Sequence, residues 1–149
     1  MLYKMKKFVK LSIEEKKLFV EAYAMLGMIR TTILTTSFKH MIRTLEQESE
    51  LNVVSRLNDE QMETAKLVGE AIMRASVYTP WKSACLAQSL TAQKMLQKRG
   101  ISGVFYVGVM KNDKENEVNA HAWAQCGDCI ITGNSGHESF TVLSVFRWK

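Results

Sequence analysis

Three cysteines and three histidines are the side chains best suited to nucleophilic or metal chemistry in this chain. Cys85 stands in Trp81-Lys82-Ser83-Ala84-Cys85-Leu86. With Ser83 as N-cap of a helix, Cys85 is the second helical residue, where backbone N–H groups are unpaired and the helix dipole is positive. Both favour thiolate over thiol, and both would stabilise an oxyanion formed by attack on a carbonyl. The plainer reading of Ser-Ala-Cys-Leu-Ala is a small buried residue. His121, in Asn119-Ala120-His121-Ala122-Trp123, is either a general base on a strand or a satisfied structural residue. Gly127-Asp128 fits a two-residue hairpin turn that sets Cys126 opposite Cys129. Counting back along that ladder pairs His121 with Asn134, about 5 Å apart between Cβ atoms, where an amide can hold the imidazole in one tautomer. A one-residue bulge would put Gly133 there instead.

Cys126-Gly127-Asp128-Cys129 matches C-x-x-C, but a zinc site needs two further ligands and only His121 and His137 are near in sequence. Thioredoxin-like chemistry wants the motif at a helix N-terminus and not in a hairpin. The pair reads best as reduced cross-strand neighbours on the sheet face opposite His121. No phosphate-binding glycine loop, dinucleotide fingerprint or H-E-x-x-H zinc motif is present, so no cofactor or metal is implied.

These residues need a helix and a hairpin to position them. Ser83 to Gly100 supplies the helix: Leu86, Leu90, Met95 and Leu96 form its apolar stripe, Lys98 and Arg99 suit its C-terminal end, and Gly100 suits the residue beyond. Pro80 holds Thr79 extended and closes what precedes. Upstream, Ser12 with Glu15 and Asn58 with Gln61 are capping-box patterns, opening helices over about residues 12–30 and 58–76. Residues 46–57 read as a connection. Downstream the period changes to strands at 101–110, 118–126, 129–132 and 140–147. Helices followed by an antiparallel meander predict an α+β fold.

The chain has 149 residues, 46% hydrophobic, with one Pro and eight Gly, which excludes a disordered or low-complexity tether. Its formal charge of +5 is unevenly placed. Residues 1–43 hold nine Lys and Arg against three acids, and the rest hold eleven against twelve. The basic excess therefore belongs to an N-terminal helical extension, residues 1–57, ahead of a near-neutral core, residues 58–149. That distribution argues against nucleic acid and fits either a solvated helix end or a docking surface for an acidic partner, a peptide or a membrane. Glu21 and Arg30 interrupt the apolar stretch from Leu18 to Leu34, so neither a signal peptide nor a transmembrane segment is expected. Three cysteines make a poor disulfide framework, and a cytoplasmic location is expected.

Thr79-Pro80-Trp81-Lys82-Ser83-Ala84-Cys85-Leu86, Arg99-Gly100-Ile101, Tyr106-Val107-Gly108-Val109, Ala120-His121-Ala122-Trp123 and Thr132-Gly133, in that order, resemble the lasso-peptide leader peptidases. These are small bacterial B-proteins, or microcin-processing proteins, with a transglutaminase-like cysteine-protease core. The resemblance implies a nucleophile-bearing helix packed on an antiparallel sheet. It also implies hydrolysis of one bond in a ribosomally made precursor, freeing it for a separate ATP-dependent lasso cyclase. Cys85 would be nucleophile and His121 base. The family's third residue, often an acid about a dozen positions after the His, falls on Gly133, with Asn134 adjacent. The orienting group is then Asn134, another group, or none. Trp123, on the face of His121, is either a shield for the pair or a core residue. Stand-alone members work with a separate leader-recognition protein, and the basic N-terminal helix is the candidate surface for docking that protein or the precursor leader. The other classes compatible with these residues are a transglutaminase-like acyltransferase or amidase and a non-catalytic peptide-binding module. Deleting residues 1–11 and neutralising Lys16 and Lys17 is expected to weaken complex formation measured by calorimetry, and an unchanged affinity would rule out the docking role.

Overall fold

The computed structural model describes residues 2–43, 45–48, 56–81, 84–112, 117–133 and 140–149. The chain forms five helices, α1 (Leu2–Val9), α2 (Ile13–Thr35), α3 (Phe38–Met41), α4 (Asp59–Ser76) and α5 (Cys85–Lys98), and one sheet, against which α4 and α5 make the main helix packing. The sheet comprises β1 (Glu46–Glu48), β2 (Gly103–Asn112), β3 (Glu117–Cys126), β4 (Cys129–Thr132) and β5 (Thr141–Trp148). The fold is α+β, as expected.

Both capping boxes form. Ser12 Oγ accepts from the Glu15 amide at 3.2 Å while the Ser12 amide donates to Glu15 Oε2 at 2.8 Å. Asn58 and Gln61 repeat the exchange at the start of α4. α2 runs past residue 30 to Thr35 because its threonines turn their hydroxyls onto the preceding turn: Thr31, Thr32 and Thr35 donate to the carbonyls of Gly27, Met28 and Thr31. By length and composition α2 could cross a membrane, yet its Ala22, Leu26 and Ile29 sit in the main core.

The sheet is not a meander. Its order is β1-β5-β2-β3-β4, every described pairing being antiparallel, so β5 returns beside β2 instead of extending from β4. β2 accounts for this, because Gly103 to Tyr106 are buried on both faces and such a strand needs neighbours on both sides. The expected connection after residue 45 contributes β1, which pairs with β5 through main-chain bonds that leave no hydrophobic alternation to read. Residues 49–55 lie outside the described set.

The core divides at the sheet. Phe105, Ala122, Ala124, Cys126, Phe146 and Trp148 join Leu26, Val68, Ile72, Leu90, Met95 and Leu96 of the helices in one cluster. Val104, Tyr106, Trp123 and Val145 form a second cluster on the other face. Fully burying each large side chain contributes about 1.5–3 kcal/mol. Two contacts seat the layers. Gly69 of α4 lets β4 approach, since a Cβ there would lie 2.7 Å from Ile131 O. Trp148 Nε1 donates to Ile101 O at 2.9 Å and fastens the end of β5 to the α5–β2 connection.

α2 is fastened to the far end of α5 by charge. The Arg99 guanidinium meets the Glu21 carboxylate at both oxygens, 3.0 and 2.5 Å, and also donates to Met95 O. The Arg99 hydrogen bond, reinforced by the charges of Arg99 and Lys98, holds Glu21 below its ordinary 4.5. A carboxylate with a lowered pKa binds its proton more weakly folded than unfolded. Its contribution is therefore complete above about 4.5 and is lost as pH falls through the lowered value. Glu21→Gln is expected to cost about 1 kcal/mol at pH 7. The deficit should shrink toward zero in urea melts below pH 4, and a deficit constant from pH 7 to pH 3 would contradict the ion-pair account.

Candidate active site

α5 begins at Cys85 itself, with Ala84 as the cap residue, so Cys85 is the first helical residue and not the second. Ser83, expected as the cap, lies outside the described residues. Ala84 offers no side-chain acceptor. While α2 and α4 start with two reciprocal hydrogen bonds each, α5 starts with first-turn amides that no cap side chain occupies. The first bond of its ladder runs from the Gln88 amide to Ala84 O at 3.0 Å. Cys85 is half-buried there.

The approach to Cys85 is held by α2 and by the end of α4. Trp81 packs edge-on against Tyr23, ring centroids 5.4 Å apart, and a Cβ on Gly27 would lie 3.3 Å from its ring. The Thr79 hydroxyl lies 3.0 Å from both Ser76 O and Trp81 O, closing the turn around Pro80.

His121 is half-buried on β3. Successive strand residues alternate faces, so His121 shares the side of Trp123 while Ala122 and Ala124 face the helices. Its ring stacks on Trp123 at 5.6 Å and tilts against Phe140 at 4.9 Å. Trp123 in turn stacks on Tyr106 at 5.3 Å, and burial pushes the Tyr106 hydroxyl pKa up. Trp123 thus both fills the second cluster and flanks His121.

The expected hairpin forms, with Gly127 at φ 58° and Cys126 opposite Cys129. The uniform count behind it does not continue. Gln125 pairs with Ile130, but Ala124 pairs with Thr132, so Ile131 is an extra residue on β4. The bulge removes the basis for setting Asn134 opposite His121, and Asn134 lies outside the described residues, as does His137. Gly133 instead brings its carbonyl oxygen to 2.7 Å from His121 Nε2. A carbonyl only accepts, so this bond requires the proton on Nε2 and leaves the Nδ1 lone pair facing outward from the bond. Among the described residues Nδ1 has no hydrogen-bond partner, and no hydrogen bond joins His121 to Cys85.

Sequence reasoning missed the residues that connect these parts. Ser89 and Thr132 are buried polar side chains at 0% and 1% exposure. Ser89 Oγ lies 3.2 Å from Ala122 O and 2.9 Å from Thr132 Oγ1. With one proton on each hydroxyl, Thr132 donates to Ser89 and Ser89 to Ala122. Ser89 is one helical turn after Cys85, Ala122 follows His121, and Thr132 precedes Gly133. The chain thus links α5, β3 and β4 at the neighbours of all three residues. Ser89 falls on the buried side of α5, and a small polar residue amid its apolar stripe was the available signal.

Cys126 and Cys129 are free thiols on the opposite side of β3 from His121, with Cys126 in the main core. Burial, with Cys129 adding to it, pushes Cys126 up to about 12, which keeps it a thiol at neutral pH. Among the described residues no group of three or more His, Cys, Asp or Glu could hold a metal ion.

Residues 29–145 match the transglutaminase-like superfamily, a span that takes in α3 to α5 and the sheet strands, with Cys85, His121 and Gly133. The chain belongs to that superfamily. Its members include cysteine peptidases. No curated protein and no solved structure matches the chain. In this transglutaminase-like domain the superfamily span begins within α2, whose buried side completes the core beneath α5.

Ser89→Ala removes a buried donor and acceptor together and is expected to cost about 1–3 kcal/mol. Combining it with Thr132→Val should cost less than the sum of the single changes, because neither hydroxyl is then left without the other. Strictly additive costs in urea melts would show that the two hydroxyls are not coupled.

Proposed function

We propose that this protein is a cysteine peptidase that removes the leader from a ribosomally made lasso-peptide precursor. Two separate features support a thiol-based reaction. A cysteine stands at a helix N-terminus without a side-chain cap, and the strand packed on that helix carries a histidine whose tautomer is set. Superfamily membership supports the chemistry, and the ordered motif set from Thr79 to Gly133 supports the substrate.

The reaction follows from these groups. His121 Nδ1 accepts the Cys85 proton, giving thiolate and imidazolium, and the thiolate attacks the scissile carbonyl. The first-turn amides of α5, including that of Cys85, donate to the oxyanion. Imidazolium protonates the leaving amine, and the C–N bond breaks to leave a thioester on Cys85. Water, deprotonated by Nδ1, hydrolyses the thioester and restores the thiol. The transfer requires the two side chains to meet; in the structure no hydrogen bond joins them, and His121 lies on the face of β3 turned away from the helices. The work would fall in the cytoplasm, alongside a leader-recognition protein and ahead of the lasso cyclase.

Superfamily membership also suits acyl transfer to an amine, which shares every step up to the thioester. Mass spectrometry of a precursor peptide incubated with the protein distinguishes the two by the group added to the new C-terminus. Cys85→Ala and His121→Ala are each expected to lower peptide cleavage about a thousandfold or more, Cys85→Ala without changing the thermal midpoint appreciably. A Cys85→Ala protein that still removed the leader would overturn the assignment.

A further inference from the structure

The position where the resemblance expects an acid is a glycine, and the structure says why no side chain fits. Gly133 has φ 77°, in the left-handed region that residues with a Cβ rarely adopt. A Cβ there would also run into Ala122 O and lie 2.8 Å from Trp123 Cβ. Backbone conformation and close packing against β3 thus exclude a side chain independently. The same close approach brings the Gly133 carbonyl oxygen to 2.7 Å from His121 Nε2. Nε2 has a single proton, and this bond takes it, leaving the ring's lone pair on Nδ1.

We propose that the main-chain carbonyl of Gly133 is the positioning group of His121, replacing the side-chain acid or amide that such sites otherwise use. This rests on His121 serving as base. A carbonyl fixes ring and tautomer as a carboxylate would, yet it is uncharged and does not titrate. The ring therefore gains a hydrogen bond from this partner but no ion pair. The oxygen is itself held in place, since Thr132, the residue before, is tied through Ser89 to α5 and to Ala122. The bulge at Ile131 brings the chain to this point with its carbonyl, and not a side chain, toward the ring.

The test reads the histidine directly, by nitrogen-15 NMR of the full-length protein labelled at its histidine rings, at a pH where His121 is neutral. His121 is expected as a single Nε2-protonated form whose Nε2–H exchanges with water about tenfold or more slower than that of exposed His40. The same signal should persist in Asn134→Ala and should lose its protection in Gly133→Ala. Should Gly133→Ala fail to fold, the wild type and Asn134→Ala decide. An Nδ1-protonated or mixed form in the wild type overturns the proposal, as does loss of protection in Asn134→Ala, which would transfer the role to that side chain. The readout needs no turnover. A protected Nε2–H without peptide cleavage refutes the peptidase and keeps the positioning bond, whereas cleavage with an unprotected ring does the reverse.

Discussion

The hydrogen-bond chain from Thr132 to Ser89 to the Ala122 carbonyl is the interaction on which the candidate site depends. It is buried, and each member has only the next as its partner in that direction, so all three elements must arrive together for any of the groups to be satisfied. Apolar packing brings α5 onto the sheet but does not fix its position along the strands, because leucine and alanine contacts tolerate sliding. Directional bonds do fix it. They set the turn of α5 that carries Cys85 against the residue beside His121 and pin the residue before Gly133. The precision of the site is thus supplied by two hydroxyls that touch no reacting atom.

The chemistry suggested for Cys85 and His121 then follows from two local constraints of opposite kind. At Cys85 a favourable interaction is withheld. Ala84 caps nothing, while Ser12 and Asn58 complete both bonds of their boxes. An unfilled helix start costs about 1 kcal/mol and leaves amides and positive potential for an anion. At His121 a backbone is forced close. Gly133 takes up a conformation that needs glycine and packs where a Cβ would collide, and in return its carbonyl meets Nε2.

Local patterns carried most of the elements and little of their assembly. The boxes at Ser12 and Asn58, the glycine ending α5 and the Gly127-Asp128 turn were all legible, because each is settled by residues within a few positions of one another. The return of β5 to β2 was not, since it depends on both faces of β2 being covered, which no single strand's alternation states. The bulge at Ile131 was likewise hidden. It answers to the approach of Gly69 from α4, some sixty residues away in sequence. One extra residue was enough to undo the pairing of His121 with Asn134, because a hairpin register counted from its turn has no tolerance for insertion. Cys85 and His121 were visible as residue types in suggestive places. Ser89, Thr132 and the Gly133 carbonyl were not, because a serine in a helix, a threonine in a strand and a peptide oxygen look ordinary until their partners are known.

Three costly features border the residues for which chemistry is proposed, and several stabilising contacts lie away from them. The uncapped helix start, the left-handed Gly133 and the bulge in β4 all border Cys85 or His121. The capping boxes, the Glu21–Arg99 pair at the opposite end of α5 and the Trp148 anchor lie away from them. A protein selected for stability alone would have no reason for alanine at this cap, since an Asp or Ser at position 84 would be a better one. It would also withdraw the positive end of the helix from the thiol by placing an oxygen over the same amides. The basic charge of the first 43 residues fits the same division. One of its neighbouring carboxylates, Glu21, is spent on Arg99 to hold α5 at its far end, so the tie that stabilises this helix is made without adding any charge near Cys85.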